Sequence, residues 1–263
     1  MESKKLETLL VDVADNGVVT MTMNRPEKKN AANGVMWNEL RETWSAIALD
    51  PSVRCVVMTG AGDAFCSGAD LGGGADGPER HQMQAMNMIH MTVQALYQIM
   101  VPVVAKVNGV AAGAGLNMAL ACDLIVAGDQ ARFSEIFSRR GLSVDFGGTW
   151  ILPRLIGLHK AKELAFFADV IDAAEAERFG IVNRVVPQAE LDAFVDDWTD
   201  KLASGPPLAL SMTKRLLTLN ASADFATALE AEGMAQTVNF GTKDTVEAVS
   251  AFIDKRTPTF KGR

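Results

Sequence analysis

The sequence predicts an α+β fold: a sheet-rich first two-thirds followed by an all-helical tail. Short apolar strands recur at residues 53–58, 103–107 and 124–127, helices alternate with them, and helical spacing dominates beyond residue 160. The alternation suggests stacked turns of one ββα unit, although the turns do not repeat in sequence. The 263 residues, 48% hydrophobic and 22% charged, suit a soluble globular chain with a sizeable core.

The elements follow in order. Leu9 to Val13 and Val18 to Met23 flank Asn16-Gly17, which supplies the positive φ of a tight hairpin. Residues 30–49 repeat apolar side chains at helical intervals (Val35, Met36, Leu40, Trp44, Ile47), and Asp50-Pro51 stops them. Residues 53–58 read as a strand buried on both faces. A Gly- and Asp-rich loop spans 60–77, long enough to mark a functional segment. A helix over 78–100 presents Met83, Met86, Ile89, His90, Val93, Leu96, Tyr97 and Met100 on one face, which predicts core packing for the methionines and for His90. Strand 103–107, a turn at Asn108-Gly109, a small-residue run opening a helix to about Ala121, and strand 124–127 complete the sheet-rich part. Helices are predicted over 160–168, 173–179, 190–204, 208–219, 223–240 and 242–255, with Gly205-Pro206-Pro207 a stiff break among them.

Composition excludes several functions. Lys+Arg 25 against Asp+Glu 32 leaves a net charge of −7, without the basic footprint of a nucleic-acid binder. Cys55, Cys66 and Cys122 lie far apart with no C-x-x-C spacing, so no disulfide framework or metal site is expected, and a reducing compartment fits. With no apolar run of membrane-spanning length and no secretory pattern at the start, the expected location is cytoplasmic. Thirteen methionines against one tyrosine favour adaptable packing or an apolar ligand pocket.

Two loops stand out as candidate chemistry. Gly60 to Leu71 and Asn108 to Gly115 each follow a strand, and their small residues let a ligand carbonyl approach backbone N–H groups. Together they form a candidate oxyanion hole for a reaction that develops negative charge on a carbonyl oxygen.

The motifs Asn24-Arg25-Pro26-Glu27-Lys28-Lys29-Asn30-Ala31, Phe65-Cys66-Ser67-Gly68-Ala69-Asp70-Leu71, Pro102-Val103-Val104-Ala105-Lys106-Val107-Asn108-Gly109 and Gly147-Gly148-Thr149-Trp150-Ile151-Leu152-Pro153-Arg154 occur in that order. Through them the chain resembles the crotonase superfamily, the enoyl-CoA hydratase/isomerase family, over nearly its whole length. The resemblance implies a crotonase-like ββα spiral over 1–200 and a C-terminal helical region, 201–263, that assembles trimers or dimers of trimers and covers the CoA site. It implies an acyl-CoA thioester as substrate and no separate cofactor, metal, nucleic acid or membrane. The N–H groups of Ala69 and Ala114 would hold the thioester oxygen. Lys28, Lys29, Ala31, Asp70, Leu71 and Gly113 would line the CoA channel with Ala69, and Phe260 and Lys261 would reach a CoA from a neighbouring subunit.

The two glutamates of family hydratases align with Asn117 and Phe137, neither of which takes a proton from water. Asp145 matches the single acidic residue of family isomerases, with the phenylacetate-pathway type closest in pattern. One carboxylate suffices to move a double bond, removing a proton at C2 and returning it at C4. The resemblance leaves three alternatives: an enoyl-CoA hydratase, a dehalogenase-like hydrolysis with Asp145 as nucleophile and His90 as base, and a non-catalytic acyl-CoA binder. Glu135 lies next to the site in sequence without an assigned part.

Overall fold

A computed structural model describes residues 1–72 and 81–263 of the chain. The N-terminal strands β1 (Lys4–Lys5), β2 (Leu9–Val13) and β3 (Val18–Met23) form an antiparallel meander. Helix α1 (Gly34–Leu49) then crosses to β4 (Cys55–Gly60), which pairs parallel with β3. From here the chain winds in turns. Strand β5 (Ala64–Cys66) and helix α2 (Gln82–Tyr97) finish the first turn, and residues 73–80, the end of the predicted loop and the start of the predicted helix, lie outside the described residues. The next turn is β6 (Val103–Val107), β7 (Val110–Ala112) and α3 (Ala114–Leu120), and the one after it opens with β8 (Leu124–Gly128) and β9 (Arg132–Ser134).

Each turn sends its first strand to one sheet and its second to another. Helices α4 (Gly148–Ile156) and α5 (Leu158–Phe167), strand β10 (Ile171–Asp172), α6 (Ala173–Phe179) and β11 (Arg184–Val186) complete both sheets. The larger runs β1-β2-β3-β4-β6-β8-β11 and the smaller β10-β9-β7-β5. This is the ββα spiral that the alternation predicts.

The core fills the space between sheets and helices. Met21, Met23, Met36, Trp44, Met58, Phe65 and Phe133 are fully buried there, and the Trp44 indole N–H donates to the Met58 sulfur at 3.4 Å. Helix α7 (Leu191–Ser204) covers the opposite face of the large sheet, placing Leu191, Val195 and Ala203 against Cys55, Val57, Val104 and Val126. Every residue of β4 is therefore buried, as its unbroken apolar run requires.

Helices α8 (Pro207–Asn220), α9 (Phe225–Phe240) and α10 (Lys243–Asp254) form the tail. Neither α8 nor α9 buries a residue within the chain, and Leu217, Phe225, Phe240 and Phe252 stand exposed. Among the described residues no helix is long and apolar enough to cross a membrane.

Several boundaries differ from the sequence prediction for physical reasons. Helix α1 starts at Gly34 rather than residue 30, because Lys29 and Asn30 adopt left-handed φ of 48° and 57°. The Asn30 amide is used in the loop, donating to the carbonyls of Ala61 and Ala64 at 2.9 and 2.8 Å, and Asn33 caps the helix instead by accepting from Met36 N–H. Core packing of the α2 methionines and of His90 is corrected too. Only Thr92 and Leu96 of α2 are buried, whereas Met83 and His90 are exposed. Helix α2 packs on α1, with Leu96 buried and Ile89, Val93 and Ala95 set against the core, while Met83, Met91 and Tyr97 stay exposed in the single chain.

Candidate active site

The two glycine-rich loops meet. A Cβ on Gly115 would lie 2.1 Å from the Cys66 carbonyl oxygen, so only glycine lets α3 sit this close to β5. Gly68 takes φ +105°, and a Cβ there would stand 3.0 Å from Ala112 O and 3.7 Å from Ala114 N. Ala69 is thus brought beside the first residue of α3. Around Ala69 the backbone pairs with Ala32, whose N–H donates to Gly68 O and whose carbonyl accepts from Asp70 N–H. Among the described residues the N–H groups of Ala69 and Ala114 meet no acceptor, so both are free to receive one from a ligand.

The wall beyond Ala114 is apolar on one side and acidic on the other. A Cβ on Gly113 would lie 3.7 Å from the tip of the Phe137 ring, which is buried against that turn. Three residues after Ala114, roughly 4.5 Å along the helix axis, Asn117 is fully buried. Its Nδ2 donates to the Asp145 carbonyl oxygen at 2.9 Å and reaches Glu135 Oε2 at 3.4 Å. Asn117 thereby ties the Asp145 loop to α3.

Asp145 is half-buried, and its Oδ1 has no partner among the described residues. Desolvation raises its carboxyl above the ordinary carboxylate range, and the charge of His90 on α2 opposes this. Glu135 is 1% exposed, and burial pushes it up to about 8, with the Asp145 charge adding and the Asn117 bond opposing. Sequence reasoning placed Glu135 next to the site but gave it no part. Its signal was the alternation Phe133, Glu135, Phe137 leaving β9, which sets a carboxyl between two buried rings.

The remaining candidates occupy the rim or lie elsewhere. Lys28 is exposed, and Lys29 Nζ pairs with Asp63 at 2.9 Å. Ala31 is buried beneath them and Leu71 is exposed. Asp70 forms a 2.9 Å ion pair with Arg25, both side chains largely shielded, which holds the loop carrying Ala69. Phe260 and Lys261 are not brought to this cluster within the chain. Phe260 lines a cavity of about 320 Å³ with Asn16, Arg54 and Ser204, and Asp244 fixes the tail by accepting from the N–H groups of Lys261 and Gly262 at 2.7 and 2.8 Å. Among the described residues no three His, Cys, Asp or Glu side chains gather as metal ligands.

A spiral of ββα turns that brings two free backbone N–H groups together near buried carboxyls suits a class of enzyme that stabilises negative charge on a carbonyl oxygen. Comparison with known proteins identifies the family. The family model for enoyl-CoA hydratase/isomerase matches residues 13–263. The chain is 35% identical over 253 residues to the 1,2-epoxyphenylacetyl-CoA isomerase of Escherichia coli, covering 95% of this chain and 97% of that protein. It is also 35% identical over 249 residues to the short-chain-enoyl-CoA hydratase of Clostridium acetobutylicum, covering 91% and 92%. The crystal structure of an enoyl-CoA hydratase from Bacillus anthracis superposes with a TM-score of 0.93 at 35% identity, covering 98% of this chain and all of that one. The chain belongs to the enoyl-CoA hydratase/isomerase family, within the crotonase superfamily.

Proposed function

We propose that the chain is an isomerase of unsaturated acyl-CoA thioesters in which Asp145 is the single acid/base. The observation that carries this reading is the pairing of Asp145, half-exposed with an unpartnered oxygen, with Phe137 packed at Gly113. Directing a water onto the substrate takes a second exposed acid opposite Asp145; a phenyl ring stands at Phe137, and Glu135 is buried against Asn117. A double-bond shift needs no such partner. Asp145 takes the C2 proton of a 3-enoyl-CoA, the N–H groups of Ala69 and Ala114 hold the dienolate oxygen, and the same carboxyl returns the proton at C4. Each N–H contributes roughly 3 kcal/mol to the transition state, and desolvation makes the Asp145 carboxylate a stronger base.

On this reading Lys28 and Lys29 present their charge to the CoA phosphates, with Ala31 and the 69–71 segment along the channel. The exposed apolar side chains of α8 to α10 support assembly with further copies of the chain, from which Phe260 and Lys261 reach a neighbour's CoA. A second reading, hydrolysis with Asp145 as nucleophile, is favoured only by the electrostatic pull of His90 on that carboxyl.

Asp145→Asn tests the proposal. Turnover of 3-enoyl-CoA substrates should fall at least a thousandfold while CoA affinity holds within a few-fold. Turnover near the wild-type rate, or rapid hydration of crotonyl-CoA by the wild type, would overturn it. Release of free carboxylate or halide from an aryl-CoA would favour the hydrolytic reading instead.

A further inference from the structure

Three buried polar atoms at the back of the site have no partner among the described residues: Asn117 Oδ1, Glu135 Oε1 and Asp145 Oδ1. All three are acceptors as long as both carboxyls are ionised. Asn117 joins them, reaching Glu135 Oε2 and the Asp145 carbonyl through one NH2 group. Its amide lies against Gly148, where a Cβ would come within 2.4 Å of both of its terminal atoms, so only glycine leaves it this place. Among the described residues no cation pairs with Glu135, and the basic residues of its own 3-10 turn, Arg139 and Arg140, are exposed. Asp145 is the titratable group that faces Glu135, and His90 faces Asp145 from α2.

An uncompensated carboxylate in such a place is unfavourable enough that the group takes up a proton instead. A proton on Glu135 removes one of two like charges and turns one of the three unpartnered acceptors into a donor. We propose that Glu135 is the positioning residue of this site: a carboxylic acid held neutral behind Asn117, which fixes the Asp145 loop and leaves Asp145 as the only charge presented to the acyl chain. The inference rests on the isomerase reading for its kinetic part. Its structural part, a neutral buried acid bonded to Asn117, stands independently of turnover.

The burial that pushes Glu135 up to about 8 gives this arrangement a pH limit. Above that value Glu135 becomes charged, draws the Asn117 amide towards itself, and slackens its bond to the Asp145 carbonyl. Activity then falls on the alkaline side, through a group that never touches substrate.

Two measurements test this on the full-length protein. In the infrared, a protonated carboxyl stretch should be present at pH 6.5, fade with a midpoint near 8, and be missing from Glu135→Gln. In kinetics with a 3-enoyl-CoA, wild-type kcat should drop above pH about 8. Glu135→Gln, which keeps a partner for Asn117, should show kcat lowered no more than tenfold, KM unchanged, and no alkaline limb. Glu135→Leu should lose about 100-fold in kcat. The inference is overturned by absence of the infrared band, by its survival in Glu135→Gln, or by superposable alkaline limbs. Failure of the isomerase reading looks different: no wild-type turnover, with the titrating band intact.

Discussion

Glu135 also makes a stability prediction that needs no knowledge of the substrate. Its carboxyl titrates near 4.5 in an unfolded chain and at about 8 in the fold. Between those values the folded protein holds a proton that the unfolded chain has released, so the native state binds more protons and stability falls as pH rises. At about 1.4 kcal/mol per pH unit the loss reaches about 5 kcal/mol by pH 8 to 9. A neutral glutamine escapes it. Asp145 is raised by the same burial but is present in both proteins, so it largely cancels from the difference. Urea unfolding of wild type and Glu135→Gln, at matched protein concentration and every half pH unit from 4.5 to 9, measures the effect. The variant's relative stability should climb by several kcal/mol across this range. Parallel curves would refute a buried, uncompensated carboxyl at this position.

Other substitutions probe other parts of the site. Gly68→Ala forces a side chain into the left-handed region, at roughly 1–2 kcal/mol, with its Cβ 3.0 Å from Ala112 O. Spreading the two N–H groups should lower kcat about 100-fold, the effect of one lost donor, while CoA binding changes little in calorimetry. His90→Leu removes the charge that holds Asp145 down, so the acid limb of kcat/KM should move to higher pH, and an unmoved limb would show that His90 does not act on Asp145. Asp244→Ala deletes two charge-assisted hydrogen bonds to the last residues, each worth about 1.5–3 kcal/mol. Backbone amide exchange at Lys261 and Gly262 should speed up by at least tenfold, with exchange in α1 unchanged.

Much of the architecture was legible because long periodic segments announce themselves. The apolar run of β4, the hairpin at Asn16-Gly17 and the tail helices all appear within a few residues of their expected places. The three-residue strands β5 and β7 did not, since a run that short carries no period and hides inside small-residue loops. Helix α2 misled for another reason. Its apolar face predicts burial, yet within one chain that face is covered only in part, by α1 and by Trp150 of α4, and a sequence does not say which apolar face the chain itself will cover.

The site was legible in the same uneven way. Gly68, Gly113 and Gly115 mark close approaches, and ordered motifs drew attention to Ala69, Ala114 and Asp145. Glu135 was noted only as an acid next to the site, because its neighbours in sequence do not show whether it faces solvent or the core. Only packing shows it sealed behind Asn117.

The central claim is that one carboxyl, Asp145, carries a proton from C2 to C4. A 3-enoyl-CoA deuterated at C2, converted in ordinary water and followed by mass spectrometry and NMR, tests it most directly. The account predicts a measurable fraction of product with deuterium at C4, abolished together with turnover in Asp145→Asn. Conversion at full rate with no deuterium at C4 at any pH, or label transfer that survives Asp145→Asn, would contradict it.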